Sequence, residues 1–161
     1  MIIVVMGVSG SGKTTVGQLL AKSLGWEFCD ADALHPVANI EKMSRGIPLD
    51  DADRKPWLER LEQAIAQRLQ EDKNMVLACS ALKAAYRQIL WQDKERMRLI
   101  YLKGNFKIIQ ERLIKRPDHY MSPELLQSQL DTLEEPSEAI TIDVSQPPEV
   151  VVREIKTKLR I

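Results

Sequence analysis

The chain has 161 residues, about the length of one domain. Hydrophobic residues make up 44% and charged residues 29%, so the chain can bury a core without disulfides or a structural metal. Lys and Arg total 23 and Asp and Glu total 23, which leaves no overall basic field of the kind that nucleic acid or an anionic membrane would attract.

Ile2–Met6 is apolar on both faces and reads as a buried strand. With Met1 it forms the longest uninterrupted apolar run, far short of the ~20 residues of a membrane helix. It also lacks the charged flank and cleavage site of a secretion signal. Lys13–Leu24 reads as a helix closed by Gly25, and Glu27–Cys29 as a short strand. Pro36–Arg45 reads as a helix stopped by Gly46. Pro56–Glu71 carries Trp57, Leu58, Leu61, Ala64, Ile65 and Leu69 on one stripe. A strand follows at Met75–Cys79, a helix at Lys83–Trp91 and a strand at Arg98–Leu102. Asn105 caps a helix over Phe106–Lys115, and Ser122 with Pro123 opens another to about Leu133. Ala139–Val144 is the last strand and Pro148–Leu159 the last helix. Five strands with interleaved helices predict a three-layer α/β fold: a five-stranded parallel sheet with helices on both faces. Nothing divides the chain, so residues 1–161 read as one domain.

Cys29 and Cys79 are the only cysteines and have no zinc-type spacing, which predicts reduced thiols in a cytoplasmic protein. Both fall near the carboxyl ends of strands. Oxidation there could link or modify them; the plainer reading is two buried, unreactive thiols.

Gly7-Val8-Ser9-Gly10-Ser11-Gly12-Lys13-Thr14 fits G-x-x-x-x-G-K-[ST] and lies between a strand and a helix, as a phosphate loop must. Its backbone N–H groups, with Thr15 just inside the helix, predict a cradle for the phosphates of a nucleoside triphosphate. Lys13 reaches the β- and γ-phosphates, and the Thr14 hydroxyl is a hard ligand for Mg²⁺. A phosphate loop alone does not separate kinases from motors and GTPases. The Asn-Lys-x-Asp segment that reads guanine is absent, and a dense polar region between the second and third strands suits a small-molecule acceptor.

Asp30 and Asp32 fall at the carboxyl end of the second strand, where open α/β sheets bind ligands. We assign Asp30 to Mg²⁺ through a water and Asp32 to the acceptor hydroxyl, as base or orienter; solvated turn carboxylates are the alternative. His35 and Lys42 lie nearby, although a lone His is more often a cap or a core residue. Arg54 suits an anionic acceptor but could equally be part of a solvated face. Lys83 and Arg87 stand four apart on one helix face, and an Arg fork matches a carboxylate.

Taken together, these segments resemble a known family. The phosphate loop, Asp32-x-Leu34-His35-Pro36, Asn39-x-x-Lys42-Met43 and Gly46-x-Pro48-Leu49-x-Asp51-x-Asp53-Arg54-x-Pro56-Trp57 carry the first half. Cys79-Ser80-Ala81-Leu82-Lys83-x-x-Tyr86-Arg87, Tyr101-Leu102-Lys103-Gly104, Arg112-Leu113-x-x-Arg116 and Ser128-Gln129-x-x-x-Leu133-Glu134-x-Pro136 extend it over nearly the whole chain. The chain resembles the small P-loop gluconate kinases, relatives of shikimate kinase. The resemblance implies phosphorylation of D-gluconate at the 6-hydroxyl by ATP, a P-loop kinase fold with a mobile lid at about 116–123, and a homodimer. It also implies that Arg112 stacks on adenine and that Arg116 approaches the phosphates as a catalytic group. A basic helix C-terminus is the alternative for both arginines. Pro147, after the last strand, could press on the other face of adenine, or could simply precede the helix start at Pro148. The chain departs from the family's usual Gly-His-Phe with Asp118-His119-Tyr120, which adds a negative charge to the expected lid. Two rival readings remain: a kinase for another small acid or a nucleoside monophosphate, and a nucleotide-switched binding module.

Overall fold

The computed structural model describes residues 1–115 and 123–161. Five parallel strands, β1 (Ile2–Met6), β2 (Glu27–Asp30), β3 (Met75–Ala78), β4 (Met97–Lys103) and β5 (Ile140–Asp143), form one sheet in the order β2-β3-β1-β4-β5. The central strand β1 is buried along its whole length, because helices cover both faces of the sheet. Side chains alternate across a strand. Ile2, Val4 and Met6 therefore enter one core with Trp57, Leu61 and Ile65, while Ile3 and Val5 enter the other with Val16, Leu20, Val151 and Ile155.

The first core packs under α3 (Asp51–Gln70) and α4 (Ala84–Leu90), and the second under α1 (Lys13–Leu24) and α7 (Pro148–Leu159). A third, smaller core joins Val8 and Leu82 to Ile109, Leu113 and Leu126. It ties the loop after β1 to α5 (Phe106–Ile114) and α6 (Pro123–Thr132). The remaining helix, α2 (Val37–Ser44), follows the turn after β2 and is tied to the start of α3 by Asn39 Nδ2 donating to the Asp53 carbonyl at 2.8 Å.

Two elements differ from the sequence expectation. The helix expected from Pro56 begins at Asp51, and Pro56 lies inside it. The missed signal is a capping box: the Asp50 carboxylate accepts from the Asp53 N–H at 2.7 Å, and Asp53 accepts from the Asp50 N–H at 3.1 Å. These bonds satisfy donors three and six residues ahead of the proline, so the helix starts at Asp51. After β2 the chain also makes an unexpected 3-10 turn, Ala31–Leu34, capped by the Asp30 carboxylate accepting from Asp32 N–H at 2.9 Å. This turn sets Asp32 in place.

Removing the α3 cap with Asp50→Ala is expected to cost about 1 kcal/mol and lower Tm by roughly 2–4 °C. An unchanged melting curve would mean that the Lys42–Asp53 ion pair holds this helix end by itself.

Candidate active site

The loop from Gly7 to Gly12 leaves the central strand and turns into α1. Gly12 caps α1 in a left-handed conformation at φ 96°, with its carbonyl accepting from Val16 N–H at 2.8 Å. Gly10 sits at φ +82°, and a Cβ there would stand 2.8 Å from Leu113 Cγ and 2.9 Å from Ile109 Cγ2. Glycine is required at this point because α5 packs against the bare loop backbone. Ser11 Oγ is sealed inside the loop without a hydrogen-bond partner among the described residues. Lys13 Nζ donates to Val8 carbonyl at 3.1 Å, arching back over the loop. A left-handed backbone, a helix N-terminus and an overarching lysine fit a polyphosphate.

Thr14 Oγ1 donates to Asp30 Oδ2 at 3.3 Å, across the gap between α1 and the end of β2. These two hard oxygen donors are the pair expected to serve Mg²⁺. No cluster of three His, Cys, Asp or Glu exists among the described residues.

Beside the loop opens a cleft of about 310 Å³, lined by Ser9, Lys13, Asp32, His35, Arg54 and Tyr86 among others. Its floor is Trp57, which is 1% exposed and donates from Nε1 to Ala31 carbonyl at 2.7 Å. His35 stacks on the indole with centroids 4.5 Å apart and planes 10° from parallel. Burial lowers the His35 pKa, the Asp32 charge opposing and the Arg54 charge assisting, so the ring is neutral at pH 7. Arg54 Nη1 donates to Tyr86 Oη at 3.1 Å and lies 3.8 Å from Asp51 Oδ1, while Tyr86 hydrogen-bonds Asp51.

A second cleft of about 340 Å³ lies beyond the loop and is lined by Gly12, Thr15, Arg112, Ser145 and Pro147 among others. The two expected adenine contacts, Arg112 and Pro147, therefore share one cavity next to the phosphate loop. Arg112 is anchored there by a bond from Nη2 to Val144 carbonyl.

Three expected acceptor-binding cations have other partners and do not line the first cleft. Lys42 Nζ grips both Asp53 oxygens at 2.9 Å, which raises the lysine's pKa and lowers the aspartate's. Lys83 Nζ donates to Asp51 at 2.8 Å, and its ammonium also lies 5.5 Å from the Tyr86 ring centroid. Arg87 is buried at 7% exposure; Nη1 donates to Ala81 and Leu82 carbonyls at 2.8 and 3.1 Å, and Nη2 to Glu134 carbonyl at 2.8 Å. Its fork fits backbone oxygens across two loops instead of a ligand carboxylate. The four-residue spacing of Lys83 and Arg87 predicted one shared helix face near the site, but Lys83 precedes the first residue of α4, and Arg87 turns inward.

Arg116 and most of the expected lid, at about 116–123, lie outside the described residues; position 123 begins α6. Cys79 is fully buried, which pushes its thiol up to about 12, and Cys29 is raised by partial burial. Both therefore stay protonated and poorly nucleophilic at neutral pH; the expected burial holds for Cys79, while Cys29 is half-buried. Sequence reasoning missed Gln129, whose Oε1 accepts from Ser9 N–H at 2.8 Å and so joins α6 to the phosphate loop. It also missed Asn39 and Tyr86. Each was visible only as one polar residue within a longer motif.

The shikimate kinase family profile matches residues 9–160. The thermoresistant gluconokinase of Escherichia coli strain K12 is 44% identical over 94% of this chain and 89% of its own. A gluconokinase of Gluconobacter oxydans is 44% identical over 95% of this chain and 88% of its own. The chain belongs to the gluconokinases of the shikimate kinase family. The crystal structure of a family member from Sinorhizobium meliloti superposes with a TM-score of 0.86 at 45% identity, covering 98% of this chain and 90% of that one. The P-loop kinase fold expected from the sequence is therefore the fold found.

Arg87→Met is expected to lower stability by about 1–3 kcal/mol, because three carbonyls lose their donor. Denaturant unfolding measures it. A gluconate KM raised at unchanged stability would return Arg87 to the acceptor site.

Proposed function

We propose that the protein transfers the γ-phosphoryl group of ATP to the 6-hydroxyl of D-gluconate, giving 6-phospho-D-gluconate and ADP. The observation that carries this reading is one cleft, open to the phosphate loop, in which Lys13, Asp32, His35 and Arg54 converge in a gluconokinase-family chain. The adjoining cavity with Arg112 and Pro147 supports ATP as donor, with adenine between those two side chains.

The hydroxyl oxygen attacks the γ-phosphorus as the bond to the β–γ bridging oxygen breaks, and the hydroxyl proton is released. Asp32 orients the hydroxyl and accepts that proton. Because the transition state is loose, holding the oxygen in line matters more than early deprotonation. Lys13 and the loop amides from Gly7 to Thr15 hold the phosphates. Thr14 directly, and Asp30 through water, would hold Mg²⁺, which when bound neutralises phosphate charge. Arg54 is the guanidinium on the cleft wall and is assigned the gluconate carboxylate. Lys83 acts on it at one remove, by holding Asp51. Lys42 likewise braces the wall through Asp53. By family resemblance, Arg116 neutralises charge on the transferring group from a lid at about 116–123, and the enzyme is a cytoplasmic homodimer of single-domain chains. Among the described residues no helix is long and apolar enough to cross a membrane.

ADP release from ATP and Mg²⁺ is expected to respond to D-gluconate and not to shikimate, other sugar acids or AMP. Strong stimulation by one of the others would move the substrate assignment. Binding of ATP with no stimulation by any acceptor would favour the nucleotide-switched module. Asp32→Asn is expected to lower kcat by roughly 10²–10³ at unchanged ATP affinity, and near-normal turnover would remove its role.

A further inference from the structure

The hydrogen bonds behind His35 determine its tautomer. Asn39, 3% exposed on α2, places Nδ2 2.8 Å from the Asp53 carbonyl and 3.1 Å from His35 Nδ1. A backbone carbonyl can only accept, so the amide atom facing it is the nitrogen and not the oxygen. That nitrogen carries two hydrogens and no free lone pair. With one hydrogen on Asp53, the other points at His35 Nδ1, which must accept it. A neutral ring then carries its own proton on Nε2. A doubly protonated ring would set N–H against N–H, so this contact opposes imidazolium, as burial of the ring does.

The ring is held in position as well as in protonation. Trp57 covers one face at 4.5 Å, and the indole is itself pinned to the Ala31 carbonyl. Nε2 has no hydrogen-bond partner among the described residues, yet it is not among the buried atoms sealed from solvent. His35 is 8% exposed and lines the acceptor cleft, and with Nδ1 taken by Asn39 the ring nitrogen left for a ligand there is Nε2.

We infer that His35 is a neutral hydrogen-bond donor through Nε2–H to a hydroxyl or carboxylate oxygen of the acceptor, and that Asn39 is the positioning residue that fixes this tautomer. The inference rests on the substrate reading above and adds a division of labour within it. Asp32 accepts the acceptor's proton, while His35, with no lone pair open to the cleft, gives a hydrogen bond and cannot compete as a base. A polyhydroxy acid offers several oxygens that such a donor can select.

The test is a long-range proton–nitrogen correlation spectrum of the ligand-free full chain at neutral pH. There are only two histidines, so His119→Gln leaves a single imidazole. The expected pattern has the proton on Nε2 and a lone-pair nitrogen at Nδ1, and D-gluconate shifts Nε2 more than Nδ1. A proton on Nδ1, or on both nitrogens, overturns the inference. So does an Nε2 signal that stays still at gluconate concentrations saturating for ADP release. This arm alters neither His35 nor Asn39, so it does not depend on how variants at those positions fold.

In steady-state kinetics, His35→Phe keeps a ring against Trp57 but has no donor. It is expected to raise the gluconate KM roughly tenfold at unchanged ATP KM. His35→Gln, which restores an N–H, is expected to recover most of that loss. A gluconate KM unchanged in His35→Phe overturns the donor role. Failure of the substrate reading has a separate signature: no gluconate-stimulated ADP release by the unaltered chain, with the ligand-free tautomer as expected.

Discussion

The acceptor side of this enzyme depends on the buried indole of Trp57. Its ring fills the core between α3 and the sheet, its N–H holds the carbonyl at the start of the 3-10 turn, and its face supports His35. One side chain thereby couples the hydrophobic core to two groups that line the cleft. Large aromatic truncations in a core cost about 3–5 kcal/mol. Here the loss would also release the turn that carries Asp32.

Charge around the cleft is arranged in two tiers. Lys13, Asp32 and Arg54 reach the cavity, while Lys42, Asp53, Lys83 and Asp51 neutralise each other behind it. The outer pairs are all partly open to solvent, so their worth to stability is small. Their effect is on position: Asp51 holds Lys83 and Tyr86, and Tyr86 accepts from Arg54. A guanidinium held in this way has less side-chain freedom left to lose in any contact it makes across the cleft.

The phosphate side is built differently, from backbone. Gly10 admits α5 against the loop, and the small core around Val8, Ile109, Leu113 and Leu126 joins the loop to the helices on either side of the segment 116–122. Gln129 adds a direct bond from α6 to the Ser9 amide. Binding at the phosphate loop and the placement of α5 and α6 are thus mechanically linked.

The strand and helix order, the phosphate loop and its ligand class, the carboxylates at the end of β2 and the family itself were legible in the sequence, because each depends on local spacing. Burial on both faces makes β1 continuously apolar, and a glycine-rich turn between a strand and a helix leaves few other chemistries. The start of α3 was legible in principle, in Asp50 and Asp53, but the proline drew attention away from it. What only the tertiary structure decided was the direction in which polar side chains point. Lys42, Lys83 and Arg87 have the charge and spacing of ligands, yet their nearest oxygens belong to Asp53, Asp51 and three carbonyls, two in the loop just before α4 and one 47 residues away at Glu134. The state of His35 likewise follows from Asn39 and a carbonyl 14 residues beyond it. Spacing along one helix fixes which residues are neighbours on it, but a hydrogen bond goes to whichever partner the packing of several elements brings within about 3 Å.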